Sequence, residues 1–255
     1  MRKVDFIIIG PQRTGTTWIH EFLKNTKYFN LPSSVKETFF FDIKYQLGFS
    51  YYDSLFEKNN KIRGEVCPTY FISEKAVLRI RKAYPNCKLI FIYRDPVERS
   101  ISMYNHHFKK GRVGYDIKDA VEKYPEIIES SMYSKYLKHW KSHFKDQIFM
   151  LRYDDLIKNP DEFIKQFSSF LLIKEFKLKQ KDLIRLNESK LPVSRNLSFI
   201  MSKIATFLRK YDFHSIVNFG KKIRLNKVYM GKNISRNFDK EKIWLKSLFS
   251  NEDYL

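Results

Sequence analysis

The chain has 255 residues and a formal net charge of +20, from 48 Lys and Arg against 28 Asp and Glu. Hydrophobic residues make up 43% and aromatic residues 16% of the sequence, which excludes a disordered chain and favours one domain over residues 1–255. With only Cys67 and Cys87, a disulfide framework is excluded. No apolar run is long enough for a membrane span or a signal-peptide core. The basic surface is expected to attract anions.

Apolar β-branched runs alternate along the chain with helix-start signals. Strands are predicted at 4–9, 88–93 and 147–153, and helices at 16–23, 73–84, 96–108, 131–144 and 160–171. Asp95 and Asn159 are each followed by a proline and are the expected N-caps of two of these helices. This alternation predicts an α/β fold, in which helices flank a parallel β-sheet of about five strands.

The first predicted strand runs into the sequence Gly-Pro-Gln-Arg-Thr-Gly-Thr-Thr-Trp, which leads into a helix. Gly15 permits a tight turn, the start of the helix offers free N–H groups, and Arg13 adds a positive charge. Hydroxyl groups come from Thr14, Thr16 and Thr17. The segment therefore predicts a phosphate-binding loop. A Walker loop has Lys directly after its second glycine, where this chain has Thr, so an ATP or GTP loop is disfavoured.

A second candidate anion site follows the strand at 88–93. Arg94 ends that strand, and Ser102 stands eight residues later on the predicted helix. Open parallel sheets bind ligands at the carboxyl ends of their strands, so both side chains are expected to reach one phosphate. The alternative is that Arg94 and Asp95 merely cap the helix and that Ser102 packs. Two anion sites on two strand–helix junctions favour a ligand with two separate phosphates.

These motifs resemble those of the sulfotransferase superfamily, which uses 3′-phosphoadenosine-5′-phosphosulfate (PAPS) as sulfuryl donor. Arg13 to Thr17 resembles the 5′-phosphosulfate loop, with Arg in place of the commoner Lys, and Arg94 with Ser102 resembles the 3′-phosphate motif. The resemblance implies a P-loop-like sulfotransferase fold, PAPS as donor, PAP as product and no metal. It also implies that Arg13 contacts the leaving group and that Trp18 packs on the adenine.

The segment that begins Lys36-Glu37 is followed by three phenylalanines within five residues. It resembles the Lys-Glu segment of heparan-type and bacterial carbohydrate sulfotransferases, which implies that Glu37 deprotonates the acceptor and that Lys36 lies near it. The alternative is an ion pair at a strand edge. His106, four residues after Ser102, is a second candidate base because it matches a histidine of an N-sulfating relative.

Three weaker matches complete the candidate site. Glu65 and Tyr70 resemble a Glu-x-x-Pro-x-Tyr segment near the acceptor cleft, and Tyr153 resembles a strand-end tyrosine that approaches the adenine. Lys190 and Arg195 resemble a late loop that closes over the nucleotide in bacterial members. A structural role is an open alternative for the first three, and a solvated basic face for the last two.

The sequence thus predicts a PAPS-dependent sulfotransferase that acts on a hydroxyl or amine, with a sugar or glycan as expected acceptor. A P-loop-type small-molecule kinase and a charge-driven nucleic-acid binder are the alternatives; no specific nucleic acid partner is expected. We expect a cytoplasmic protein without a membrane span, or else the soluble catalytic part of a membrane-anchored or luminal enzyme.

Overall fold

The computed structural model describes residues 2–174, 195–210, 213, 216, 236–250 and 252. Contacts between residues divide the chain into two compact units. The first unit comprises Met1–Pro96, Ser130–Asn187 and Glu252–Leu255, and the second comprises Val97–Glu129 and Glu188–Asn251.

The first unit contains a parallel sheet of five strands: β1 Phe6–Ile8, β2 Phe29–Asn30, β3 Ile62–Val66, β4 Lys88–Tyr93 and β5 Ile148–Arg152. Their order is β2-β3-β1-β4-β5, and every neighbouring pair is parallel. In the central register, Ile8 pairs with Val66 on one side and with Ile90 on the other. The predicted α/β fold with a parallel sheet of about five strands is therefore confirmed.

The described helices are, in chain order, α1 Thr16–Lys24, α2 Gly48–Ser54, α3 Glu74–Ala83, α4 Pro96–Lys109, α5 Ile117–Lys123, α6 Glu126–Glu129, α7 Tyr133–Phe144, α8 Tyr153–Lys158, α9 Pro160–Leu171, α10 Arg195–Lys210 and α11 Asp239–Leu248. Pro96, the first residue of α4, belongs to the first unit, and the rest of α4 belongs to the second. The second unit also contains α5, α6, α10 and α11. Asn159 is the N-cap residue of α9 and Pro160 its first residue, as predicted, although the Asn159 side chain makes no capping hydrogen bond. Ser73 caps α3 and accepts a hydrogen bond from the N–H of Ala76 at 3.3 Å.

The core of the first unit lies on both faces of the sheet. Alternate residues of a strand point to opposite faces, and in β4 Leu89 and Phe91 join one apolar cluster while Ile90 and Ile92 join the other. Continuous apolar runs are typical of parallel strands buried in this way, which is why β1 and β4 were recognisable in the sequence. The carboxyl ends of β1 and β4 are thereby held at one edge of a rigid sheet.

Within the described ranges, no helix is both long and apolar enough to cross a membrane. The same residues contain no group of three or more His, Cys, Asp or Glu side chains suited to hold a metal ion. Cys67 and Cys87 are free thiols in the core, in line with the absence of a predicted disulfide framework.

Candidate active site

The predicted phosphate loop connects β1 to α1 and turns at Gly15, whose φ is +83°. A Cβ at this position would lie 2.9 Å from Cδ2 of Tyr153, at the start of α8. Only glycine therefore fits both the left-handed backbone and the close approach of the tyrosine ring. The fold brings Tyr153 against the loop, as expected for a residue near the nucleotide.

Two guanidinium groups accompany this loop. Burial lowers the pKa of Arg13, the positive charge of Arg94 lowers it further, and Tyr153 acts in the opposite direction. Arg94 follows β4, and its guanidinium carbon lies 5.0 Å from the centroid of the Tyr153 ring. Neighbouring like charges in a half-buried site are costly unless an anion neutralises them. Arg13 and Arg94 therefore form an electrostatic site suited to a phosphate or sulfate.

The hydroxyl groups of the loop differ from one another in their placement. Thr14 is buried, and its hydroxyl donates a hydrogen bond to the carbonyl of Pro11 at 2.7 Å. In this structure it therefore braces the loop, and the role of Thr14 in binding an anion stays a prediction. Thr16 is also buried at the first position of α1, whereas Thr17 is exposed. The N–H groups at the start of α1 keep the predicted geometry of an anion cradle.

Trp18 has a different environment from the one predicted. Its side chain is only 8% exposed and belongs to an apolar cluster on one face of the sheet. The ring stacks on Phe22, with 5.1 Å between centroids and an interplanar angle of 9°. Trp18 is thus a packing residue of α1, and its contact with adenine stays a prediction without structural support.

Lys36 connects the loop to the candidate base. Its Nζ donates to Thr17 Oγ1 at 3.2 Å and to Glu37 Oε1 at 2.8 Å. Both members of the ion pair are partly buried, with Lys36 27% and Glu37 17% exposed. The ion pair that was the alternative to the base role is therefore present, and Lys36 joins it to Thr17 in the first turn of α1. The role of Glu37 as base stays a prediction.

Glu65 and Tyr70, expected near the acceptor, are instead fully buried. Glu65 on β3 accepts hydrogen bonds from Thr38 at 2.6 Å and from Tyr52 at 3.1 Å. Burial raises the pKa of the Glu65 carboxyl from its ordinary value of 4.5 to about 7, although these hydrogen bonds act in the opposite direction. Both side chains are thus enclosed by the protein in this structure, and their expected place near the acceptor cleft stays a prediction.

Two further residues near the Glu37 segment were not identified as site candidates from the sequence. Asp42 accepts a hydrogen bond from the Thr69 hydroxyl at 2.9 Å, and burial raises the pKa of its carboxyl. Arg79 on α3 donates to the carbonyls of Phe41 and Asp42 at 2.8 and 3.0 Å. The partners are 27 and about 38 positions apart in the sequence, and no local motif signals such contacts.

The remaining candidates belong to the second unit. Ser102 and His106 lie on α4, and the His106 ring is 5.8 Å from that of His107. Arg195 is the first residue of α10. Lys190 lies outside the described residues. The roles of these four residues stay predictions.

Comparison with known proteins connects this geometry to a family. The model of the family described as "Sulfotransferase domain" matches residues 3–240. Human heparan sulfate glucosamine 3-O-sulfotransferase 3B1 is 29% identical over 180 residues, which cover 66% of this chain and 46% of the relative. Human bifunctional heparan sulfate N-deacetylase/N-sulfotransferase 2 is 29% identical over 199 residues, 69% of this chain and 22% of the relative. The chain thus spans less than half the length of these relatives.

A solved structure supports the fold. The sulfotransferase from Alicyclobacillus acidocaldarius superposes with a TM-score of 0.60 at 18% identity, over 71% of this chain and 89% of that one. The kinase alternative finds no support in these matches. Because the family model covers nearly the whole sequence, the chain belongs to the sulfotransferase family.

Proposed function

We propose that this protein transfers the sulfuryl group of PAPS to a hydroxyl or amine of a carbohydrate, with Glu37 as the general base. The observation that carries the proposal is the double contact of Lys36 with Thr17 and Glu37. It joins the candidate base to the helix that begins at the phosphate loop. A group that takes a proton from the acceptor must lie close to the donor, because the acceptor oxygen or nitrogen attacks the transferred sulfur.

The donor side of the site fits an anionic phosphosulfate group. Arg13, Arg94 and the N–H groups at the start of α1 supply positive charge, and Tyr153 packs against Gly15. As the acceptor attacks, negative charge grows on the oxygen that bridges sulfur and the 5′-phosphate. Arg13 and the loop N–H groups stabilise this charge, and this stabilisation lowers the barrier. The pairing of Arg94 with Ser102 on the 3′-phosphate stays a prediction from the sequence.

The acceptor proposal depends on the relatives and on charge. Two of the similar human proteins are described as heparan sulfate sulfotransferases, and the net charge of +20 favours an anionic acceptor. A sugar or glycan that carries carboxylates or sulfates meets both conditions. Another relative, from Dictyostelium discoideum, is described as membrane-associated, and no comparison supports the cytoplasmic location expected from the sequence.

The test of the base is a pair of variants assayed with PAPS and a heparan-type oligosaccharide. We expect Glu37→Gln to lower kcat by roughly 10² to 10⁴, the usual scale for losing a positioned base, with PAP affinity intact. His106→Ala is the comparison variant and should cost much less. If Glu37→Gln keeps near-normal turnover while His106→Ala abolishes it, Glu37 is not the base. Sulfation of a phenolic acceptor but of no carbohydrate would refute the acceptor class.

A further inference from the structure

A buried carboxylate is hydrogen-bonded to the segment that carries Glu37, although the proposed reaction makes no use of it. Glu65 is fully buried and accepts from the hydroxyls of Thr38 and Tyr52. The hydroxyl of Tyr70 lies 2.9 Å from that of Thr38. A carboxylate inside a protein is costly even when it is hydrogen-bonded. Its presence in β3 therefore calls for a function.

The hydrogen bonds of the network lead from the carboxyl to the backbone. The hydroxyl of Thr38 donates to Glu65, and the hydroxyl of Tyr70 lies within hydrogen-bonding distance of the Thr38 oxygen and also interacts with Glu65. The N–H of Phe40 donates to the Thr38 oxygen, and the N–H of Phe41 donates to the Tyr70 oxygen, both at 3.1 Å. The network that starts at Glu65 thus ends on the backbone of the segment that follows the candidate base.

That backbone contains an unfavourable turn. Phe39 has a φ of +53°, in the left-handed region that bulky residues avoid. The bond from Phe40 to Thr38 spans this residue, and the carbonyl of Phe39 accepts from the N–H groups of Ile43 and Lys44 at 3.0 and 2.8 Å. A strained residue persists only where the surrounding structure holds it. The buried network supplies such support two residues after Glu37.

We propose that Glu65 is a positioning residue that acts through Thr38 and Tyr70. It holds the turn at Phe39 and so fixes the direction of the Glu37 carboxylate relative to the acceptor. This inference rests on the proposed role of Glu37 as base. Because it is buried, Glu65 itself contacts neither donor nor acceptor. Among the described residues, the titratable and charged groups that interact with Glu65 or its hydroxyl partners include Asp42, Tyr52, Arg63, Cys67, Tyr70, Tyr84 and Cys87.

The test begins with Thr38, whose replacement by Val keeps the branched shape and removes the hydroxyl. We expect Thr38→Val to lower kcat by on the order of 10- to 100-fold, the scale of a small misplacement of a catalytic group, without changing the Kd for PAP. Thr38→Ser keeps the hydroxyl and should therefore retain most of the wild-type kcat. Tyr84→Phe is the matched control, because the Tyr84 hydroxyl is buried in the same aromatic cluster and has no hydrogen-bond partner in the structure. It should leave kcat unchanged.

The decisive measurement repeats Thr38→Val in a Glu37→Gln background, with a radiolabelled donor to follow slow turnover. If the network acts by orienting Glu37, the second substitution should cost almost nothing once the base is gone. A full additional loss would overturn the positioning role while leaving the base assignment intact. So would a folded Thr38→Val variant with normal kcat. A fully active Glu37→Gln enzyme would instead refute the proposed role of Glu37 as base, and Glu65 would then have no base to orient.

Discussion

The phosphate loop and the buried network around Glu65 are two parts of one unit, and they are built in opposite ways. The loop is one contiguous stretch, Arg13 to Thr17, between a strand and a helix. The network brings together Thr38, Tyr52, Glu65 and Tyr70, which stand in four separate segments. A contiguous site needs only local structure to form. An assembled site forms only when the surrounding fold is complete.

The two regions also treat charge differently. In the loop, burial lowers the pKa of Arg13, and the positive charge of Arg94 lowers it further. Glu65 is already satisfied by hydroxyl groups of the protein. The loop is therefore prepared for an external anion, whereas the network is closed to ligands and holds other groups in place. The three predictions below test this contrast.

The largest effect is expected at Arg13. Arg13→Ala should lower kcat by roughly 10² to 10³, as for the loss of one group that stabilises charge in the transition state. Enzyme kinetics and PAP titration are the measurements, with Arg13→Lys as the charge-conserving control that should retain substantial activity. A loss of PAP affinity as large as the loss of kcat would reduce Arg13 to a phosphate anchor.

The second prediction concerns Glu65 and the stability of the fold. Because its pKa is raised from 4.5 to about 7, the folded protein holds a proton that the unfolded chain releases at lower pH. The stabilisation that this proton provides is complete below 4.5, the pKa of the carboxyl in the unfolded chain, and it is lost as pH rises through about 7. Its size is about 3 kcal/mol, at 1.36 kcal/mol for each unit of pKa. Urea unfolding across this pH window should show the decline in the wild type, and a flatter curve for Glu65→Gln. If the unfolding free energies of the wild type and of Glu65→Gln depend on pH in the same way, Glu65 is not the group whose pKa is raised.

The smallest effect distinguishes two glycines. Gly15 and Gly48 both have positive φ, +83° and +74°, but a Cβ on Gly15 would collide with Tyr153, whereas one on Gly48 has nothing within 4 Å. Each Gly→Ala substitution should destabilise the fold by roughly 1 to 3 kcal/mol through backbone strain, and the collision with Tyr153 should add to the loss for Gly15→Ala. Only Gly15→Ala should also weaken PAP, because the loop must move away from the tyrosine. Calorimetric titration measures the affinity of each variant for PAP. Equal affinities of Gly15→Ala and Gly48→Ala would show that nucleotide binding does not depend on the turn at Gly15.

The elements that the sequence predicted well are those whose signals are local. The apolar runs of β1 and β4, the glycine turn and the start of α1 depend on neighbours within a few positions, and all of them were recognised. Strand β2 has only two residues, and β3 contains Arg63, Gly64 and Glu65. Neither strand has the uninterrupted apolar run that predicts a buried strand.

By itself, the sequence determined the α/β class, the phosphate loop and the family, because each of these depends on short runs of residues or on their order. Only the tertiary structure decided the environment of individual side chains. It buried Glu65 and Tyr70, stacked Trp18 on Phe22 and linked Lys36 to both Thr17 and Glu37. Burial and hydrogen-bond partners are set by residues tens of positions away in the chain, so the pKa of a carboxyl follows from the completed fold and not from its neighbours in sequence.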